Sequence, residues 1–320
     1  MWHAMNARVE LRQRVPLGGL PQEILVRGAD AANPLLLILH GGPGFAEMPL
    51  FTTYNADLEH HFLVAHWDQR GAGRSYAPGI PVESMTLRQF VADALELIGW
   101  LTDRFAQDKV YLLGHSWGSL VGATLAGERP AKLHAFIGVG QLVAGLPNEQ
   151  LSYAWTLRNA IEHRNDEAIT ALRAIEDRYT PQGGGPTFAD LIVQRGWLDQ
   201  YGGQVHGDTG ALFDRIEPEL RQEYYGEASA SSQEFSLGHL LPEMLAADLR
   251  RTARAFDVPV HFVLGRYDQN TPAELAADYF ELIEAPVKQL HWFEKSAHLI
   301  PFEEPAKFNT LLVETVLRRR

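Results

Sequence analysis

An α/β fold, with a mostly parallel sheet, helices on both faces and a helical insertion, is predicted by three features of the 320-residue sequence. Short apolar runs alternate with helical patterns over the first 140 residues. The alternation then gives way to polar, helical text, and it returns near residue 258.

Each element has its own signal. Residues 9–15 and 23–27 alternate apolar and polar side chains around Pro16, Gly18, Gly19 and Pro21, the pattern of an antiparallel hairpin. The runs 35–39, 62–67 and 110–113 are short and continuously apolar, as strands buried on both faces are. Residues 87–105 carry apolar side chains at helical spacing behind a candidate cap, Thr86. A second helix is expected over 119–128, where Gly122, Ala123 and Ala126 suit close packing on a sheet, and a buried strand over 134–139. After the insertion come a strand at 258–264, a helix at 273–284, a strand at 288–293 and a final helix at 305–317. The expected organisation is a core of residues 1–140 and 246–320 and a helical cap domain of residues 141–245.

Composition narrows the function. With 46% hydrophobic and 21% charged residues, wholesale disorder is excluded. No apolar run approaches the ~20 residues of a membrane helix. Residues 1–10 lack the apolar stretch and cleavage site of a secretory signal. Cysteine is absent, which removes disulfides, thiolate metal sites and cysteine catalysis, and a cytoplasmic location is expected. The net charge of −12 argues against a nucleic-acid partner, which needs clustered Lys and Arg. Arg318–Arg320, the one basic run, reads as a frayed helix end. Residues 141–245 hold 16 acidic and 7 basic side chains, so most of the negative charge sits in the insertion.

Three loops carry chemistry. Gly114-His115-Ser116-Trp117-Gly118 lies between a strand and a helix, where a G-x-S-x-G turn exposes a serine hydroxyl and the glycines let neighbouring backbone pass. His40-Gly41-Gly42-Pro43-Gly44 follows a strand and can aim backbone N–H groups at that serine; it also serves as a plain turn, with His40 bracing it. Asp68 to Ser75, Asp-Gln-Arg-Gly-Ala-Gly-Arg-Ser, lacks the third glycine of a dinucleotide site and the lysine of a P-loop. Asp68 and Arg70 are expected to brace loops as an ion pair. A serine of this kind needs a base and an orienting acid in the order Ser, Asp, His. Asp268 and His298 each follow a late strand and supply that order. His60, His61 and His115 have no metal-ligand spacing, so no metal and no cofactor are expected. Trp155, Trp197 and Trp292 read as core or pocket wall.

These segments resemble the α/β-hydrolase superfamily and, within it, the proline iminopeptidase (prolyl aminopeptidase) family. The resemblance rests on His-Gly-Gly-Pro-Gly at 40–44, Asp-Gln-Arg-Gly-x-Gly-x-Ser at 68–75, Gly-x-Ser-Trp-Gly-Ser at 114–119 and Gly-Arg-Tyr-Asp at 265–268. It implies Ser116 as nucleophile, His298 as base and Asp268 as orienting acid, with the N–H groups of Gly42 and Trp117 forming the oxyanion hole. Family members bind the substrate's α-amine with glutamates of the cap, and Gln233-Glu234-Phe235 is similar to one such motif, which makes Glu234 the candidate here. The implied activity is release of an N-terminal residue, proline first, from small peptides through an acyl-enzyme. A carboxylesterase on the same fold is the alternative, and a non-catalytic binding protein the distant one. Dehalogenase chemistry is disfavoured because it needs Asp where Ser116 stands. The expected partner is a small molecule or short peptide, with no membrane or nucleic acid; the sequence carries no signal for oligomeric state.

Overall fold

The computed structural model describes residues 8–317, so the Arg318–Arg320 run and most of the N-terminal stretch lie outside the described residues. Within them β1 (Val9–Leu17), β2 (Leu20–Gly28), β3 (Leu35–Leu39), β4 (Leu63–Trp67), β5 (Val110–His115), β6 (Leu133–Val139), β7 (Val260–Gly265) and β8 (Lys288–Phe293) form one sheet. Its order is β1-β2-β4-β3-β5-β6-β7-β8. β2 runs antiparallel to both neighbours, and the pairs from β4 through to β8 are parallel.

α1 (Met48–Tyr54), α2 (Leu87–Phe105) and α3 (Trp117–Glu128) accompany the first six strands. Between β6 and β7 run α4 (Gly145–Glu162), α5 (Asp166–Arg173), α6 (Phe188–Gln200), α7 (Thr209–Asp214), α8 (Pro218–Tyr225), α9 (Glu227–Ala246) and α10 (Leu249–Thr252). α11 (Ala273–Leu282), α12 (Ile300–Glu303) and α13 (Pro305–Leu311) finish the chain, the last passing into a π-helical stretch at Leu312–Leu317.

The central parallel strands are mostly apolar because both faces are covered, whereas the edge strand β8 is half-buried and carries Lys288, Gln289 and His291. In β3, Leu35, Leu37 and Leu39 join the core beneath α2, α3 and α11, while Leu36 and Ile38 join the core beneath α1, α12 and α13. Hairpin β1–β2 turns on Gly18 and Gly19 alone, at φ 52° and 78°. Pro16 and Pro21 pair with each other inside the ladder rather than forming the turn; Pro16 sits on the edge strand β1 and Pro21 outside the part of β2 that pairs with β4, so neither costs a second ladder its hydrogen bond. Thr86 accepts a hydrogen bond from Gln89 N–H and caps α2, worth about 1 kcal/mol. α3 starts at Trp117, two residues before the expected 119, because Ser116 hands the chain directly from strand to helix. A Cβ on Gly122 would sit 2.6 Å from the Phe136 ring, so this helix lies on the sheet as its small residues suggest.

The helices between β6 and β7 bury a small cluster of their own, including Tyr153, Ala160, Leu172 and Tyr179, with Trp197 packed against it. They also grip the loops that follow β3 and β4. Ser232 Oγ donates to Gly44 O at 3.0 Å, Ser236 Oγ to Gly71 O at 2.8 Å, and Tyr224 OH to Asp68 Oδ2 at 2.9 Å. Asp68 and Arg70 do not form the expected ion pair. Arg70 turns to Asp93 of α2, a pair buried on both sides at 2.9 Å, and Asp68 accepts instead from Arg74 N–H and Tyr224. Removing one member of a buried pair such as Arg70–Asp93 costs about 3–5 kcal/mol, so its role is structural. Among the described residues no helix is long and apolar enough to cross a membrane.

Candidate active site

Ser116 stands at the end of β5 at φ 53° and ψ −119°, a backbone conformation that costs a non-glycine residue roughly 1–3 kcal/mol. Hydrogen bonds hold it there. Its N–H donates to Val139 O at 2.9 Å and its carbonyl accepts from Ser119 N–H at 2.8 Å. The flanking glycines are sterically required: a Cβ on Gly114 would strike Gly118 O, and one on Gly118 would strike Leu39 O.

Asp268 and His298 arrive from the loops after β7 and β8. Asp268 Oδ2 lies 2.9 Å from His298 Nδ1, and both side chains are buried. The carboxylate is fixed from its own loop: Oδ1 accepts from the N–H groups of Asn270 and Thr271 at 3.0 and 2.9 Å, and Oδ2 from Thr271 Oγ at 2.9 Å. A carboxylate at Nδ1 keeps the proton of a neutral ring on that nitrogen and leaves the Nε2 lone pair. Gly140 lies beneath the pair at φ 51°, where a Cβ would come within 3.1 Å of the imidazole. Ser116 and His298 line one cavity of about 480 Å³.

The loop after β3 forms the facing wall. Gly41 and Gly42 line the cavity, and a Cβ on Gly41 would lie 3.2 Å from Ser116 Cβ. Gly41 N–H donates to Glu47 Oε2 at 3.0 Å and is thereby engaged inside the loop. Trp117 N–H belongs to the first turn of α3, where amides lack partners within the helix. His40 braces the loop. Its Nδ1 is 2.7 Å from Gly41 O and its Nε2 accepts from Gln69 N–H at 3.0 Å, the pattern of a neutral ring, and burial holds its pKa down accordingly. Gln69 then joins three segments, donating to His40 O at 2.8 Å and accepting from Trp117 Nε1 at 3.1 Å.

The roof of the cavity comes from α4, α6 and α9 and is mostly apolar, with Phe188, Leu191, Leu237, Leu241 and Met244 among its residues. Glu234 is not part of it. On α9 the residues lining the cavity are Gln233, Leu237, Leu241, Met244 and Leu245, a helical repeat that turns residue 234 about 100° away, and Glu234 is exposed. The α4–α6–α9 wall instead offers Glu149, which takes Arg195 Nη2 at 2.7 and 2.8 Å. Burial opposes the charge of Arg195, but Glu149 outweighs it and keeps the guanidinium pKa raised. Among the described residues no group of three or more His and carboxylate side chains converges as metal ligands would.

Residues 34–305 match the sequence family described as alpha/beta hydrolase fold. A Bacillus subtilis (strain 168) protein named "Probable aminopeptidase YbaC" is 32% identical over 311 residues, 95% of this chain and 95% of that protein. A proline iminopeptidase of Heyndrickxia coagulans is 24% identical over 284 residues, 85% of this chain and 87% of its own. The crystal structure of proline iminopeptidase from Mycobacterium smegmatis has the same fold, with a TM-score of 0.71 over 96% of this chain and 98% of that one at 19% identity.

Proposed function

The chain belongs to the α/β-hydrolase family, and from that premise we propose that it is a serine hydrolase working through an acyl-enzyme, with residues 141–245 as a cap over the site. One observation carries the reading: Asp268 holds His298 Nδ1 at 2.9 Å in the cavity that also receives the strained Ser116. Ser116 Oγ attacks the acyl carbon while His298 Nε2 takes its proton. The N–H groups of Gly42 and Trp117 meet the oxyanion, each donor of this kind being worth roughly 3–4 kcal/mol in the transition state. The imidazolium then protonates the leaving group, and water repeats the sequence on the acyl-enzyme. Asp268 keeps the ring in the tautomer that makes Nε2 the base.

The substrate that fits best is a small peptide or amide with a free N-terminal residue of compact apolar shape, proline among them. The apolar roof suits such a side chain, the most similar relative described above is named as an aminopeptidase, and Glu149 supplies a carboxylate for the amine. Arg195 already occupies much of that carboxylate, and this observation favours the second reading, a carboxylesterase with an apolar acyl pocket. The test has two parts. A serine-reactive phosphonate is expected to label the wild-type protein and not Ser116→Ala; labelling of another serine rejects the mechanism. Aminoacyl anilides are then run beside short acyl esters. Turnover of prolyl or alanyl anilides supports the aminopeptidase, and turnover of esters alone leaves the esterase.

A further inference from the structure

The site contains a second buried histidine–carboxylate pair that the mechanism above does not use. His115, which precedes Ser116, has Nδ1 at 2.7 Å from Glu47 Oε1 and Nε2 at 2.9 Å from the backbone carbonyl of His298. A carboxylate and a carbonyl are both acceptors, so both ring nitrogens carry hydrogen when Glu47 is ionised. Burial opposes the charge of each partner, but their attraction outweighs it: His115 is held above its ordinary pKa and Glu47 below. The other Glu47 oxygen, Oε2, accepts Gly41 N–H at 3.0 Å.

A continuous chain of hydrogen bonds therefore runs from Gly41 through Glu47 and His115 to the backbone of His298. It joins the loop after β3 to the loop after β8, 183 residues apart between His115 and His298. A buried ion pair is seldom the most stabilising filling for such a space, since apolar side chains of similar volume often do as well or better. What apolar filling lacks is directional contact with both loops at once.

We propose that Glu47 and His115 are positioning residues that lock the loop bearing Gly42 to the loop bearing His298, fixing oxyanion donors and base at one separation around Ser116. The proposal rests on the reading of Ser116, His298 and Gly42 given above. Neither residue exchanges a proton with substrate. Loss of the tie lets two catalytic loops drift relative to each other, and misplacement of about 1 Å can cost up to about 100-fold in rate.

The experiment measures kcat and KM for Glu47→Ala, Glu47→Gln, His115→Phe and the Glu47→Ala/His115→Phe double variant, with Ser116→Ala alongside. Glu47→Ala and His115→Phe are expected to lower kcat about 10- to 100-fold with KM within about threefold. The double variant is expected to be no worse than either, because both changes break one chain. Glutamine can rebuild that chain: Nε2–H donates to His115 Nδ1, and Oε1 accepts Gly41 N–H. Glu47→Gln is therefore expected to recover most of what alanine loses. Wild-type kcat in folded Glu47→Ala and His115→Phe overturns the tie, as do losses that multiply or a glutamine variant as poor as alanine. Should Glu47→Ala fail to fold, Glu47→Gln and His115→Asn carry the test through affinity for an acyl boronate. His115→Asn is then expected to weaken boronate binding in step with kcat while Glu47→Gln keeps most of it, and boronate affinity unchanged in His115→Asn overturns the tie. An active Ser116→Ala rejects the underlying mechanism, whereas an inactive Ser116→Ala with a normal Glu47→Ala rejects the tie alone.

Discussion

Asp268 accepts from Asn270 N–H, Thr271 N–H, Thr271 Oγ and the His298 ring, so its side chain is held by donors on three sides. Replacing it with asparagine keeps the volume and reverses one bond. An asparagine amide facing Nδ1 makes that nitrogen an acceptor and moves the ring proton to Nε2, where the base lone pair is needed. Under the proposed mechanism Asp268→Asn is expected to lower kcat about 10⁴-fold while thermal unfolding changes little. A kcat within tenfold of wild type in a folded variant rejects Asp268 as the orienting group. Ser116, Asp268 and His298 were legible in sequence because each follows a strand in a fold whose ligand loops lie there. Glu47, Thr271 and Gly140 were not. Glu47 meets His115 from 68 residues away, and Gly140 answers to a φ of 51° and to the imidazole and carboxylate packed against it, so neither has a local signature.

At the scale of elements, strands 35–39 and 288–293 and helix 87–105 match β3, β8 and α2 end to end; burial on both faces is the local signal for β3 and a capped amphipathic period the one for α2. Phase and partners were harder to read. The sequence of α9 does not say which of Gln233 and Glu234 faces inward, and a one-residue change rotates the helix surface by about 100°. The sequence of the loop after β4 likewise suggests an Asp68–Arg70 pair, whereas the fold gives Arg70 to α2 and Asp68 to α8. That arrangement has a pH signature. Burial pushes Asp68 up to about 7, and burial likewise pushes Glu303, which accepts from His206 N–H and Ala297 N–H, up to about 7. Unfolded carboxylates titrate near 4, so between about 4 and 7 the folded state binds more protons than the unfolded one. Stability from these groups is fully present below the unfolded value and is lost as pH rises through about 7. Each group contributes a drop of roughly 1 kcal/mol between pH 6 and pH 8. Thermal unfolding is expected at a higher temperature at pH 6 than at pH 8, and Asp68→Asn is expected to narrow the gap. A gap unchanged in the variant removes Asp68 as a source.

Across the whole molecule, the net charge of −12 is concentrated in residues 141–245, yet composition alone does not tell a field spread over the surface from a carboxylate in the cavity. The structure separates the two. Glu234 is exposed, while Glu149 is buried on the cavity wall. Glu149 Oε1 accepts from Arg195 and from Asn148 Nδ2 at 3.2 Å, and Oε2 accepts from Arg195, so of about four acceptor positions one remains on Oε2. A substrate ammonium placed there gains a charge-assisted hydrogen bond of roughly 1.5–3 kcal/mol. N-acetylating a prolyl or alanyl anilide is then expected to lower kcat/KM about 10- to 200-fold, and raising the salt is expected to leave that ratio nearly unchanged. Attraction by surface acids gives a small preference that fades with salt, because exposed charges are screened beyond about 8–10 Å. Glu234→Gln serves as the surface control. Arg195→Gln frees acceptor positions on Glu149 and is expected to widen the preference for the free amine, and Glu149→Gln is expected to abolish it. Since Glu149→Gln also leaves Arg195 unpaired, its unfolding temperature must be measured before its rates are read. A preference that survives Glu149→Gln and does not widen in Arg195→Gln places the amine elsewhere, and equal rates on free and blocked substrates leave an acyl pocket with no amine subsite.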